Sequence, residues 1–111
     1  MKVLGIETSC DDTSAAVYST DRGLVSMTLS SQMEHRDFGG VVPEIASRAH
    51  LSLILPVIEN ALRTGNMRLD DIDGLAVTAG PGLVGSLLVG VSTAKAIALA
   101  RSIPLIGVHH I

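Results

Sequence analysis

The sequence predicts an α/β domain built on a mixed sheet, and three observations carry that expectation. First, a strand, a glycine turn, a helix and a second strand follow one another between Ile72 and Ile111. They read Ile72-Asp-Gly-Leu-Ala-Val-Thr78, Ala79-Gly-Pro-Gly82, a helical run from Leu83 to Arg101, and Pro104-Leu-Ile-Gly-Val-His-His-Ile111. Such a βαβ unit pairs its strands in parallel through a right-handed crossover. Second, three short strand-like stretches joined by polar turns near the amino terminus predict an antiparallel meander. Third, the chain is 47% hydrophobic but 2% aromatic. Its core must therefore be Val, Ile, Leu and Ala, which suits a sheet covered by helices.

In chain order, Lys2 to Thr8 and Thr13 to Ser19 read as strands around the turn formers Ser9-Cys10-Asp11-Asp12. Asp21-Arg22-Gly23 turns the chain into a third strand, Leu24 to Ser31. From Gln32 to Val42 there is no period and two adjacent glycines, the pattern of a mobile loop. Pro43 suits the first position of a helix, where its missing N–H costs nothing, and Glu44 suits the positive end of the dipole. Leu51, Ile54, Leu55, Ile58, Ala61 and Leu62 recur at helical spacing. Pro56 removes one backbone bond and predicts a kink near residue 55, and Gly65 is the expected stop. Leu69-Asp70-Asp71-Ile72 predicts a short helical turn before a strand at Gly74–Thr78. The last strand is expected to be buried, ending in His109-His110.

One hundred and eleven residues suffice for one core, and no repeat, low-complexity tract or linker divides them. A net charge of −3 argues against generalised attraction to nucleic acid, leaving a local basic patch or a partner chain to supply positive charge. The single cysteine, Cys10, excludes an internal disulfide. The apolar part of the amino terminus is too short for a signal peptide. Leu83 to Ala100 approaches the length of a membrane span but carries Lys95, two serines, a threonine and two glycines, so it reads as a packed helix. A cytoplasmic protein, with no membrane partner, is expected.

Candidate chemistry gathers at strand ends. Glu7-Thr-Ser-Cys-Asp-Asp-Thr13 places turn amides, hydroxyls and carboxylates together. The hydroxyls and amides could hold phosphate oxygens; the carboxylates could orient a nucleophile or accept a proton. The same residues are also the usual makings of a β-turn. Gly80-Pro81-Gly82 frees the backbone for close approach and aims a helix amino terminus outward, which suits an anion, although most glycine turns are only turns. In the following helix, Gly85, Ser86, Gly90, Ser92, Ala94, Ala96 and Ala98 make a run of small residues, and a helical glycine costs about 1 kcal/mol against alanine. That cost calls for close packing against a sheet, a helix or another chain. His35 and His50 have no metal-ligand spacing to His110.

The element order β-β-β-α-β-α-β matches the ribonuclease H-like lobe of the actin/Hsp70/sugar-kinase (ASKHA) superfamily, without its final helix. Four stretches carry a closer resemblance: Val3-Leu-Gly-Ile-Glu-Thr-Ser-Cys-Asp-Asp12, Phe38-Gly-Gly-Val-Val-Pro-Glu-Ile-Ala-Ser-Arg-Ala-His50, Val77-Thr-Ala-Gly-Pro-Gly-Leu-Val-Gly-Ser-Leu-Leu-Val-Gly90 and Gly107-Val-His-His-Ile111. Together they resemble the bacterial TsaD family of tRNA N6-adenosine threonylcarbamoyltransferases, formerly called glycoproteases, in register along the whole chain. The non-catalytic paralogue TsaB shares the fold and a similar turn but lacks the Thr-Ser-Cys-Asp start and the His-His ending.

The resemblance implies a single actin-like amino-terminal lobe over residues 1–111, lacking its final helix and the second lobe. It implies transfer of threonylcarbamoyl from threonylcarbamoyl-adenylate to N6 of the adenosine 3′ of the anticodon in tRNAs reading ANN codons. Asp11 and Asp12 match acidic positions of the active-site loop, with Asp12 standing where Glu is usual. Thr8, Ser9, Gly80 and Gly82 fall where nucleotide or donor is bound. His110 matches one histidine of a His-x-x-x-His pair that, with an aspartate of the second lobe, holds iron or zinc. Ala49 stands where some members are acidic. The helices Pro43–Thr64 and Leu83–Arg101 match the surface that meets a TsaB-like partner, and a TsaE-like ATPase completes the set. The stretch alone is expected to be inactive and to self-associate, possible as a homodimer. Two other readings stand beside it: a TsaB-like scaffold lobe, and the older glycoprotease, for which no His-Glu-x-x-His constellation is present.

Overall fold

The computed structural model describes residues 1–9, 12–31, 43–82 and 84–109. Three strands, β1 (Lys2–Glu7), β2 (Asp12–Ser19) and β3 (Gly23–Ser31), form the meander. Helix α1 (Pro43–Thr64) and a 3-10 turn (Leu69–Asp71) lead to β4 (Gly74–Gly80). Helix α2 (Val84–Arg101) and β5 (Leu105–His109) complete the order expected from sequence. The sheet runs β3-β2-β1-β4-β5, antiparallel on the meander side and parallel from β1 through β4 to β5. The expected loop over 32–42 lies outside the described residues.

Alternation along the strands divides the sheet into two unlike faces. Leu4 and Ile6 stand opposite Val17 and Ala15 on β2 and beside Leu75 and Val77 on β4, and all six are buried. Against this face pack Ile54, Val57, Ile58, Ala61 and Leu62 of α1 and Ala94 and Ala98 of α2. Leu51 and Leu55, expected on the inward stripe of α1, are exposed, and Val57 takes an inward place instead. The helix continues through Pro56.

Among the described residues, nothing covers the opposite face. A row of small residues, Ala16, Gly5 and Ala76, crosses β2, β1 and β4 in register and forms the floor of an open depression of about 240 Å³. Tyr18, Met27, Leu29, Ile106 and Val108 are exposed around it. This corrects the expectation of a buried last strand. β5 is an edge strand, with α2 on one side only and its outward apolar side chains uncovered.

Both helices end in the same way, α1 just before Gly65 as expected, though the left-handed residue is not that glycine. Asn66 takes φ 55°, with the amide of Met67 donating to Leu62 O at 2.9 Å. Ser102 takes φ 56°, with the amide of Ile103 donating to Ala98 O at 3.1 Å. These are Schellman closures with a non-glycine residue in the left-handed position. Gly65 serves packing instead: a Cβ there would stand 2.9 Å from Ser26 Oγ and 3.2 Å from Val25 Cγ1.

α2 is the one helix among the described residues long and apolar enough to cross a membrane. Its buried positions, Ser86, Gly90, Ala94 and Ala98, recur every four residues and face the chain's own sheet and α1. Of the small residues these four are packed from within, while Gly85, Ser92 and Ala96 are exposed.

Candidate active-site rim

The carboxyl ends of β1, β4 and β5 and the amino end of β2 lie along one edge of the sheet. Open sheets of this kind present their chemistry there. Of the residues singled out from sequence, Thr8, Ser9, Asp12, Gly80 and Gly82 lie along this edge, but not all in the expected roles.

Thr8 turns inward. It is fully buried, its hydroxyl donates to Ser86 O at 2.7 Å, and it accepts the Gly90 amide at 3.2 Å. Expected to approach a nucleotide, Thr8 instead pins the end of β1 to α2. Thr13 does the same on the other side of the hairpin, its hydroxyl 2.6 Å from Nδ1 of the buried His50 on α1. The two ends of the β1–β2 turn are thus each anchored to a different helix.

On the open face, Glu7 pairs with Ser14 on β2 and reaches Thr78 on β4. Its Oε1 accepts the Ser9 amide at 2.7 Å, and its Oε2 accepts the Thr78 hydroxyl at 2.5 Å. Ser9 is half-buried at the rim, and Asp12, also half-buried, begins β2. Asp11 and His110 lie outside the described residues.

The glycine turn touches both of its neighbours. A Cβ at Gly82 would overlap the Ser9 carbonyl oxygen and come within 2.8 Å of Ser9 Cβ. Gly80 ends β4 ahead of a cis peptide to Pro81 and lies against His109, whose Nδ1 is 3.4 Å from where a Cβ would be. Gly82 therefore lets the turn close on the hairpin, while Gly80 leaves room for the imidazole at the end of β5. The larger surface concavity, about 500 Å³ beside Glu59, Arg63 and Asp71, lies at the amino end of β4, away from this edge.

Sequence reading singled out Thr8, Ser9 and both glycines and counted Glu7 and Thr13 only among the hairpin's carboxylates and hydroxyls; it gave no role to Thr78 and none but a missing metal spacing to His50. The Thr13–His50 and Glu7–Thr78 pairs join residues 37 and 71 positions apart. No local pattern signals such pairs. Gly90 was the exception, because a glycine inside a helix already calls for a close neighbour.

Residues 23–111 match the family TsaD: tRNA N6-adenosine threonylcarbamoyltransferase. The chain belongs to that family. A tRNA N6-adenosine threonylcarbamoyltransferase of Syntrophus aciditrophicus is 59% identical over 112 residues, covering 100% of this chain and 33% of the relative. One of Geobacillus thermodenitrificans is 60% identical over 110 residues, covering 98% and 32%. The chain thus spans about a third of the length of the curated relatives it matches. Among solved structures, YeaZ from Pseudomonas aeruginosa superposes with a TM-score of 0.76 at 19% identity, over 97% of this chain and 42% of YeaZ. RuvC from T. thermophilus does so at 0.57 and 11%, over 99% and 65%. These likenesses concern the fold alone, and they agree with the ribonuclease H-like lobe expected from the element order.

For the TsaD family a metal was an expectation of the sequence. Among the described residues, no group of three or more His, Cys, Asp or Glu side chains converges as a metal site requires. The described residues alone do not make up a binding site for that ion.

Proposed function

We propose that this stretch forms one wall of the active cleft of a tRNA threonylcarbamoyltransferase. In this reading, N6 of the adenosine 3′ of the anticodon attacks the carbamoyl carbonyl carbon of threonylcarbamoyl-adenylate. The new N–C bond forms, the bond from that carbon to the adenylate phosphate oxygen breaks, AMP leaves, and the N6 proton passes to a base. The observation that carries the reading is family membership, shown over residues 23–111, in a chain whose rim gathers Ser9, Asp12, Gly80 and Gly82.

Each group has a task that its chemistry suits. The Asp11–Asp12 carboxylates orient the adenine amine and take its proton, a role that typically contributes about 10²–10⁴-fold. Ser9 and the backbone of Gly80 and Gly82 line the approach of the donor's phosphate. Iron or zinc, if His110 supplies one ligand, takes its remaining ligands from residues outside this stretch.

Partners follow the same reading. A TsaB-like protein docks on α1 and α2, a TsaE-like ATPase joins the assembly, and the complex works in the cytoplasm on tRNA. Leu51 and Leu55 on α1, and Val84, Leu88 and Leu99 on α2, are exposed apolar residues that support such docking. Likeness in fold to YeaZ, a TsaB protein, favours a second reading in which this lobe only scaffolds.

The test uses the full-length protein with its partner, donor adenylate and substrate tRNA, reading modified adenosine by mass spectrometry. Transfer is expected, with Asp12→Asn reducing it about tenfold or more and Asp12→Glu preserving it. No transfer by the complete assembly, or full transfer by Asp12→Asn, overturns the respective assignment. The scaffold reading stands if the assembly keeps its integrity but transfers nothing.

A further inference from the structure

The β1–β2 hairpin is held on its helix face by two buried threonines, and on its open face by one carboxylate. That carboxylate, Glu7, has both oxygens engaged: the Ser9 amide on Oε1 at 2.7 Å, and the Thr78 hydroxyl on Oε2 at 2.5 Å. Ser9 is the first residue of the hairpin's turn that meets Gly82, and Thr78 lies two residues before Gly80. The Glu7 side chain therefore ties the start of the turn to the strand that delivers Gly80-Pro81-Gly82.

From this we infer that Glu7 is a positioning residue: its carboxylate, bridging the Ser9 amide and the Thr78 hydroxyl, sets where Ser9 stands along the rim against Gly82. The inference rests on the transferase reading for its consequence in catalysis, but not for the geometry. Bonds of a charged acceptor to N–H and O–H donors are among the stronger ones in proteins, so the bridge is stiff. Both partners are donors, which is the arrangement a carboxylate satisfies on its two oxygens. A glutamine could keep the bridge by a different route, its carbonyl accepting from Ser9 and its amide donating to a rotated Thr78 hydroxyl. An alanine keeps neither bond. A group that transferred the proton itself would tolerate neither change. The role is thus separable from acid–base chemistry by substitution.

The experiment uses the full-length protein assembled with its partner, in four forms: wild type, Glu7→Gln, Glu7→Ala and Thr78→Val. Two readouts are taken, transfer kinetics and amide hydrogen exchange across the β1–β2 turn. Glu7→Gln is expected to stay near the wild-type kcat, and Glu7→Ala to lose about tenfold or more, the scale on which small misplacements act. Thr78→Val, which keeps the Ser9 bond, falls between them. Exchange in the turn rises in Glu7→Ala and Thr78→Val while α1 and α2 keep their wild-type rates. A Glu7→Gln loss as large as that of Glu7→Ala overturns the proposal, and so does unchanged exchange in the turn, or a rise spread evenly over the sheet and helices. If the wild-type assembly transfers nothing while Glu7→Ala still loosens the turn alone, the transferase reading falls and the positioning of the hairpin by Glu7 stands.

Discussion

The hydroxyl of Thr8 enters α2 beside Gly90, accepting that residue's amide while donating to the carbonyl of Ser86 four residues earlier. Those are the two groups that a regular helix pairs with each other. A strand end is thereby joined to a helix backbone, and absence of a side chain at 90 makes room for it. A Cβ at that position would overlap Thr8 Oγ1.

Gly90→Ala is therefore expected to destabilise the chain despite alanine's better helix propensity. Overpacking costs about 1–3 kcal/mol, against roughly 1 kcal/mol gained in propensity. Thermal unfolding should show a lower midpoint; an unchanged or raised midpoint would mean that Thr8 moves aside freely.

The two glycines of the Gly80-Pro81-Gly82 turn should respond differently to the same change. At Gly82 the obstacle is the Ser9 backbone, so Gly82→Ala must displace the hairpin. A cost of about 1–3 kcal/mol is expected, with loss of transfer in the full-length protein. At Gly80 the nearest neighbour is the exposed His109 ring at 3.4 Å, an ordinary contact. Gly80→Ala should cost less than about 1 kcal/mol in the same denaturation experiment.

Ser86 is buried, and its own hydroxyl has no hydrogen-bond partner among the described residues. Burying an unsatisfied hydroxyl is unfavourable by about 1–3 kcal/mol. Ser86→Ala removes that group, leaves the carbonyl that receives Thr8, and adds helix propensity. The denaturation midpoint should rise.

Ser102 closes α2 in the left-handed region at φ 56°. Glycine adopts that conformation without the Cβ penalty of roughly 1–2 kcal/mol. Part of the gain is lost to the unfolded chain's greater freedom. Ser102→Gly should therefore stabilise by about 0.5–1 kcal/mol in chemical denaturation.

Two exposed apolar surfaces should separate by function. Met27→Lys and Ile106→Lys fall on the open sheet face and should reduce self-association of the 1–111 polypeptide without touching partner binding. Leu88→Lys falls on α2 and should weaken binding of the TsaB-like partner. Sedimentation at several concentrations, with and without that partner, reads both effects; a clean wild-type monomer across the micromolar range would contradict the first.

Much of the architecture was legible because it rests on local rules. Short apolar stretches between turn residues located the strands, helical spacing and Pro43 located α1, and an unbroken run after the glycine turn located α2. The errors were ones of surroundings. β5 was read as buried because Leu105, Ile106 and Val108 are apolar, yet it lies at the sheet's edge. α1 stops before Gly65 as read, but the left-handed turn belongs to Asn66, and Gly65 yields space to Ser26. A residue's type records what it can tolerate, not what lies beside it.

By itself, the sequence determined the order of elements, the turn at 80–82 and the family, since each is written in short stretches whose spacing or motif is its own signal. Tertiary structure alone decided that Thr8 faces a helix, that His50 answers Thr13, and that Glu7 bridges Ser9 and Thr78. Those relations join residues distant in the chain, and their hydrogen bonds exist only once strands and helices have brought donor and acceptor within about 3 Å of each other.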